Sequence, residues 1–275
     1  HSGASVPWDV LAADRGFTVR RFPFPVERGA ELTAEEVVAV HVEAIRPETR
    51  VLVIPHVDNM IGLRHPMKEI ASAARARGVE FILVDGAQSV GMIPVDLSDA
   101  GVDAYAMSPH KWLQSPKGLG LFYVSEAVRP QLPRMWHKTS ERGMDGTARD
   151  YEDYSTRAWP AVVAFGDALD FQDALGMTEK ARRYEALWHR VRDRVAAEPT
   201  LEWHSPNDWE LSSVIMAVSR TGVAAPEMGS ALFGSMGGVV RAFGGGLNSL
   251  RISPNLMTSE DELDAFLTGM VAHGP

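Results

Sequence analysis

The 275-residue chain contains no cysteine. That absence removes disulfide frameworks, thiolate metal sites and cysteine nucleophiles together. No apolar run approaches the roughly 18–20 residues that a membrane-spanning helix needs, so no membrane partner is expected. Positive charge is in the minority: 27 Lys and Arg stand against 36 Asp and Glu, a formal net charge of −9. Such a chain repels phosphate backbones, and no nucleic-acid partner is expected. The basic, apolar and small-residue regions of a signal peptide are missing, which points to a cytoplasmic protein. The sequence starts at His1 rather than methionine and is expected to omit residues of a longer natural chain. Nine histidines are present, but no His-Glu-x-x-His helix appears, and His56, His65, His110 and His137 lack regular ligand spacing. A metal hydrolase is therefore disfavoured, and no metal is expected.

What is present suits a folded globular chain. Hydrophobic residues make up 45% and charged residues 23%, enough to build one large core or two domains. The first half alternates strand and helix signals. Phe17–Phe22 reads as a strand ended by Pro23. Thr33-Ala34-Glu35-Glu36 is a capping box, predicting a helix through about Ile45. Arg50–Ile54 is a short apolar strand closed by Pro55. Pro66 and Gly78 bracket a helix over Met67–Arg77, with Met67, Ile70, Ala71 and Ala74 on one face. Val79–Val84 is nearly continuously apolar, as parallel strands buried on both faces are. Ala104–Met107 and Gly118–Val124 are further strands. This alternation implies an α/β unit with a largely parallel sheet.

Beyond that the pattern changes. Thr156–Leu175 and Thr178–Ala197 read as helices separated by Gly176. Leu201–Trp203, Ser212–Val218, Val239–Arg241 and Ser249–Ile252 read as short strands, the last two around the Gly244-Gly245-Gly246 turn. A second capping box, Ser259-Glu260-Asp261-Glu262, opens a terminal helix to about Val271. Long helices followed by short mixed strands indicate a smaller α+β unit.

In open α/β sheets, ligands bind beyond the carboxyl ends of the strands. Two unusual groups stand there. Asp85 directly follows the apolar run Phe81–Val84, and Ser108-Pro109-His110-Lys111-Trp112 follows Ala104–Met107. Taken alone, Asp85 is most simply a helix cap or one half of an ion pair, and Lys111 a surface lysine. Taken together they match a chemistry. A desolvated lysine attacks a carbonyl to form a Schiff base, and a carboxylate facing a ring nitrogen keeps a pyridine protonated. Pyridoxal phosphate (PLP) requires both.

The segments His56-Val57-Asp58-Asn59-Met60-Ile61-Gly62, Val84-Asp85-Gly86-Ala87-Gln88 and Ser108-Pro109-His110-Lys111-Trp112 closely resemble the class V aminotransferase family of PLP enzymes. That family includes cysteine desulfurases, selenocysteine lyases, kynureninase-like enzymes and isopenicillin N epimerase-like proteins. His1–Trp8, Gly146–Asp150 and Leu250-Arg251-Ile252-Ser253 extend the likeness over the whole chain in the family's order. The resemblance implies the PLP-dependent transferase-like fold (fold type I). Residues 1–155 would form a cofactor-binding α/β large domain incomplete at its N-terminus. Residues 156–275 would form connecting helices and a small α+β domain.

It also implies roles. Lys111 would carry the Schiff base and move protons at the substrate's α-carbon, and Asp85 would pair with the pyridinium nitrogen. Gln88 and Asn59 would bond the ring's phenolic oxygen. Ser108 and His110 would hold the phosphate, with Thr147 supplied by the second subunit of a homodimer. His1 would lie on the ring face. Arg251 would clamp the α-carboxylate of an amino-acid substrate as a bidentate pair, although alone it reads as a surface ion pair.

Two departures narrow the expectation. Arg241–Ser249, where the family's desulfurases place a sulfur-accepting cysteine, has none, so a persulfide-forming desulfurase is not expected. The segment before the His1 motif, which carries a glycine-threonine phosphate turn in the family, is absent. The Gly146–Asp150 stretch looks closest to isopenicillin N epimerase-like members. The expected function is epimerisation or β-elimination at the α-carbon, with transamination as the alternative. A catalytically inactive PLP-fold scaffold is the alternative of another class. Epimerisation needs a second proton donor, for which Tyr151, Tyr154 and His137 are candidates by position.

Overall fold

The computed structural model describes residues 1–133, 146–152 and 155–273. The chain opens with α1 (Ser2–Arg15), capped by the His1 side chain and closed by Gly16 in the left-handed region at φ 73°. The segment that follows is irregular, which corrects the strand expected over Phe17–Phe22. Its adjacent arginines are engaged elsewhere: Arg20 donates to the Ala44 carbonyl at 2.5 Å and Arg21 pairs with Asp9 at 2.6 Å. With no neighbouring strand to complete a ladder, β-rich composition alone makes no strand. Its aromatic end is used in packing, where Phe22 and Phe24 lie 5.5 and 5.7 Å from the His41 ring.

α2 (Ala34–Ala44) starts at the expected capping box. Thr33 Oγ1 accepts from the Glu36 N–H at 3.2 Å, and Glu36 Oε2 accepts from the Thr33 N–H at 3.0 Å. β1 (Val51–Pro55), α3 (Met67–Ala76), β2 (Phe81–Asp85), β3 (Ala104–Met107) and β4 (Leu121–Val124) follow. The predicted α3 face is the buried one, with Ile70, Ala71 and Ala74 at 0–1% exposure. The sheet order is β1-β2-β3-β4. β1, β2 and β3 run parallel, with Val51 opposite Phe81 and Leu83 opposite Ala104, while β4 returns antiparallel to β3. This is an α/β fold with a mostly parallel sheet.

The short α4 (Arg149–Glu152) precedes α5 (Trp159–Leu175) and α6 (Met177–Ala196). The strands β5 (Leu201–Trp203) and β6 (Met216–Arg220), then α7 (Ala225–Met236), β7 (Arg241–Phe243), β8 (Ser249–Ile252) and α8 (Glu260–Ala272) complete the chain. The second sheet is antiparallel in the order β5-β6-β8-β7. It packs on the buried stripe of α6, where Trp188 donates from Nε1 to Ser212 Oγ at 2.8 Å. α8 is clasped to α6 by Arg190, which bonds both Asp264 oxygens at 2.8 and 2.5 Å. α7 had no counterpart among the expected elements. The strands expected over Ser212–Val218 and Val239–Arg241 begin later, at Met216 and Arg241, and a 3₁₀ turn at Trp209–Leu211 occupies the approach to β6.

The two sheets are not insulated from one another. Val57, Met92, Ile93 and Trp112 from the first half share a core with α6 and the second sheet. Trp112 meets Tyr184 edge-on at 5.6 Å. The turn that carries Lys111 is therefore wedged against the second half. No helix among the described residues is long and apolar enough to cross a membrane.

Candidate active site

The cleft lies at the carboxyl edges of β2 and β3. Asp85 is the last residue of β2, and its Oδ1 accepts the Ala87 N–H at 3.0 Å. Gly86 comes next for a steric reason. The Tyr105 ring passes so close that a Cβ at Gly86 would sit 1.8 Å from its Cε1. The Tyr105 hydroxyl is in turn bonded to Ser89 Oγ and to His56 Nδ1.

Lys111 sits in the turn after β3, its N–H donating to the Ser108 carbonyl at 3.1 Å. The side chain is half-buried, and its amine has no hydrogen bond or ion pair among the described residues. Burial is the largest influence and pulls the ammonium below the ordinary lysine range. The Asp85 charge opposes this and the Arg251 charge adds to it. Three residues on, Gln114 holds the turn in place from the left-handed region at φ 59°. It donates from Nε2 to Asn255 Oδ1 at 3.0 Å and accepts from Gln172 Nε2 at 3.1 Å. Gln172 also donates to the Leu113 carbonyl at 3.3 Å, while the buried Lys180 donates to Gln172 Oε1 at 2.5 Å.

A cavity of about 1200 Å³ brings together His1, Asn59, Asp85, Gln88 and Lys111. Gln88 accepts the Trp112 indole N–H through Oε1 at 2.9 Å, leaving its amide N–H groups to donate into the cleft. His1 stands exposed at the rim, with Nδ1 accepting the Gly3 N–H at 3.0 Å. The other expected residues are not on this wall. Ser108 and His110 share the Lys111 turn, Ser108 half-buried and His110 exposed. Arg251 reaches over from β8 and donates from Nη1 to the Asn59 carbonyl at 3.1 Å, and its buried Nε has no partner among the described residues. Thr147 is exposed ahead of α4. The Tyr151 hydroxyl donates to the Arg129 and Leu132 carbonyls at 2.7 and 3.2 Å, which makes it a loop fastener rather than a cleft acid. His137 and Tyr154 lie outside the described residues.

Three cavity residues had no place in the sequence reading of the site: Asp58, His41 and His65. Asp58 accepts backbone N–H bonds from Met60, Ile61 and Leu63 at 2.7, 3.0 and 2.6 Å. Burial pushes its carboxyl up, and those three donors pull it down. His65 packs edge-on to His41 at 5.0 Å, and its Nδ1 has no partner among the described residues. The periodicity of the chain carried no signal for these histidines, which come from different elements.

The donor set fits PLP. Among the described residues, a desolvated amine without a bonded partner and a carboxylate anchored through one of its oxygens share a cavity with room for a small aromatic group. Among the described residues, no group of three or more His, Asp or Glu is placed to hold a metal ion.

A lysine and a carboxylate set so, after neighbouring parallel strands, are the pair of groups that PLP chemistry uses. The chain belongs to the aminotransferase class-V family, whose model matches residues 1–265. The cysteine desulfurase of Escherichia coli O127:H6 is 30% identical over 76% of this chain and 51% of its own length. The isopenicillin N epimerase of Streptomyces clavuligerus is 31% identical over 94% of this chain and 68% of its own. Among solved structures, the cystine C-S lyase C-DES, in complex with its reaction product cysteine persulfide, superposes with a TM-score of 0.86. The identity there is 21%, over 100% of this chain and 74% of that one, which speaks to the fold. The chain spans about half the length of the curated desulfurases it matches. These likenesses do not support setting desulfurases aside. Proteins so named stand beside the epimerases among the relatives, whatever the cysteine content of this chain.

Proposed function

We propose that the protein moves a proton at the α-carbon of an amino-acid substrate, leading to epimerisation or β-elimination. The observation that carries this reading is the unbonded, desolvated Lys111 amine in one cavity with Asp85. PLP, when bound, supplies an electron sink conjugated to the α-carbon. Lys111 would hold the cofactor and serve as the acid–base group at the α-carbon, and burial brings its amine closer to neutrality than a surface lysine's. Asp85 would pair with the ring nitrogen, while Gln88 and Asn59 would hold the ring's oxygen. Ser108 and His110 would take the phosphate, and His1 would cover the ring face. Arg251 receives the α-carboxylate through its planar fork.

Sulfur release falls within β-elimination and needs no thiol from the protein, so a cysteine-free chain is compatible with acting on sulfur-bearing substrates. Residues 1–155 serve as the cofactor half and residues 156–275 as the closing half. The exposed apolar side chains of α5, Trp159 at 58% and Val163 at 66%, support a homodimer in which Thr147 completes the neighbour's phosphate site.

Added PLP is expected to give a visible absorption band that the Lys111→Ala variant lacks. In heavy water, an amino-acid panel then separates the outcomes. Deuterium at the α-carbon without a keto product marks epimerisation, and release of pyruvate with a thiol or sulfide marks elimination. A colourless protein would favour the inactive scaffold, and a coloured one that exchanges no α-proton would overturn the α-carbon scheme.

A further inference from the structure

Gln88 and Trp112 come from the two turns that build the cleft, Gln88 shortly after Asp85 and Trp112 directly after Lys111. Their side chains meet, the indole N–H donating to Gln88 Oε1 at 2.9 Å. An indole N–H only donates, so the end of the Gln88 amide that faces it must be the oxygen. The opposite end, a pair of N–H donors, is thereby turned away from Trp112. Those donors have no hydrogen-bond partner among the described residues. Gln88 lines the cavity and Trp112 does not, so the indole can act on the cleft only through the amide.

Trp112 is itself held. It is 6% exposed and meets the Tyr184 ring edge-on at 5.6 Å. The chain at Gly91, which takes a left-handed φ of 90°, lies so close that a Cβ there would sit 2.6 Å from the Trp112 carbonyl carbon. Met92 and Ile93 share its core. The indole is therefore a fixed donor. The amide it grips has one orientation instead of the two that a glutamine's terminal torsion otherwise allows. Packing in this core needs only the rings, while the N–H is used on Gln88.

We propose that Trp112 is a positioning residue for the cofactor: its N–H locks the Gln88 amide with a donor toward the place the ring's oxygen would take, and ties the Asp85 turn to the Lys111 turn. This inference rests on the PLP reading above and adds to it the residue that orients the ring's hydrogen bond.

The test uses the full chain with added PLP and compares Trp112→Phe, Gln88→Leu and the double variant. An N–H on the ring oxygen favours the state in which that oxygen shares no other proton. Trp112→Phe should thus move the midpoint of the visible band's pH titration upward by roughly half a unit or more. It should also raise the PLP dissociation constant roughly threefold or more. Gln88→Leu should shift both in the same direction. Adding Trp112→Phe to Gln88→Leu should move the titration midpoint no further, because the indole acts through that amide. The Tm of the cofactor-free protein reads lost packing, and Trp112→Phe should lower it alike in both backgrounds. A wild-type titration midpoint in Trp112→Phe, or an equal shift with and without Gln88, would overturn the positioning role while leaving the PLP reading standing. Should Trp112→Phe not fold, replacing Trp112 by 3-benzothienylalanine keeps the indole's shape without its N–H, and the same two outcomes decide. No visible band on adding PLP to the wild-type protein would bring down both readings together.

Discussion

His56 Nδ1 lies 2.6 Å from the Tyr105 hydroxyl, a bond that spans the sheet from the residue after β1 to β3, across the intervening β2. The same hydroxyl meets Ser89 Oγ, so one buried phenol ties three segments around the Asp85 turn. Burial raises the Tyr105 phenol above its ordinary range, and it remains a neutral donor at any physiological pH.

The Tyr105 ring leaves no room for a side chain at position 86. Gly86→Ala is expected to cost about 1–3 kcal/mol through overpacking, seen as a lowered Tm. Tyr105→Leu should also destabilise, because it orphans His56 and Ser89. The double variant should lose less than the sum of the two singles, since each relieves the other's clash or void. Strict additivity in guanidinium unfolding would show that the contact does not govern the choice of glycine.

Acid should weaken the fold through its buried histidines. Burial, reinforced by the Arg64 charge, holds His56 at about 4, well under the ordinary 6.5. His41 and His65 are lowered by burial in the same direction. A base whose folded-state pKa is depressed contributes its full stability above the unfolded value. It loses that contribution as pH falls toward the folded one. For His56 the window runs from 6.5 down to about 4, and the loss amounts to about 3 kcal/mol. Urea unfolding across that range should show stability falling with pH, and a His56→Gln variant should show a shallower slope. Parallel slopes would remove His56 from the account.

Asp85→Asn keeps an oxygen for the Ala87 N–H but removes the charge. The visible band should survive while α-proton exchange falls by about two orders of magnitude. The Asp85 charge also holds the Lys111 amine up against burial. In the variant the amine's pKa should therefore drop further, and the acidic limb of the pH–rate profile, where the amine must be deprotonated to take the α-proton, should move to lower pH. Exchange at the wild-type rate would dismiss Asp85 as the ring's partner.

The clasp between α6 and α8 is electrostatic and exposed, with Arg190 reaching both Asp264 and Glu260. Arg190→Ala should lower Tm slightly at low salt and have no effect near 1 M salt, where the screening length is only about 3 Å. A salt-independent loss would mean that the arginine's stem packing matters more than its charge.

Much of this site is local enough to read from sequence. The α2 capping box and the apolar face of α3 are made by residues a turn apart, and both stand where the pattern puts them. Asp85 and Lys111 stand out because polar groups directly after buried strands need a reason. What was not legible depends on distant partners. The Phe17–Phe22 strand fails for want of a neighbour. α1 buries no residue and carries Pro7, so its pattern announces no face. α7 contains Gly229 and Gly234, which dilute its helical signal. The Trp112–Gln88 bond joins two turns 24 residues apart. The engagement of Tyr151 with two carbonyls on a distant loop has no trace in its own neighbourhood.

The Gln114–Asn255 bond has a mechanical meaning. Asn255 follows the strand that bears Arg251, and Gln114 closes the turn that bears Lys111. The loop that follows the strand of the proposed carboxylate clamp and the turn of the proposed proton carrier are thus pinned to each other through one amide pair. The spacing between grip and chemistry is set at that single point of attachment rather than by the two sheets separately.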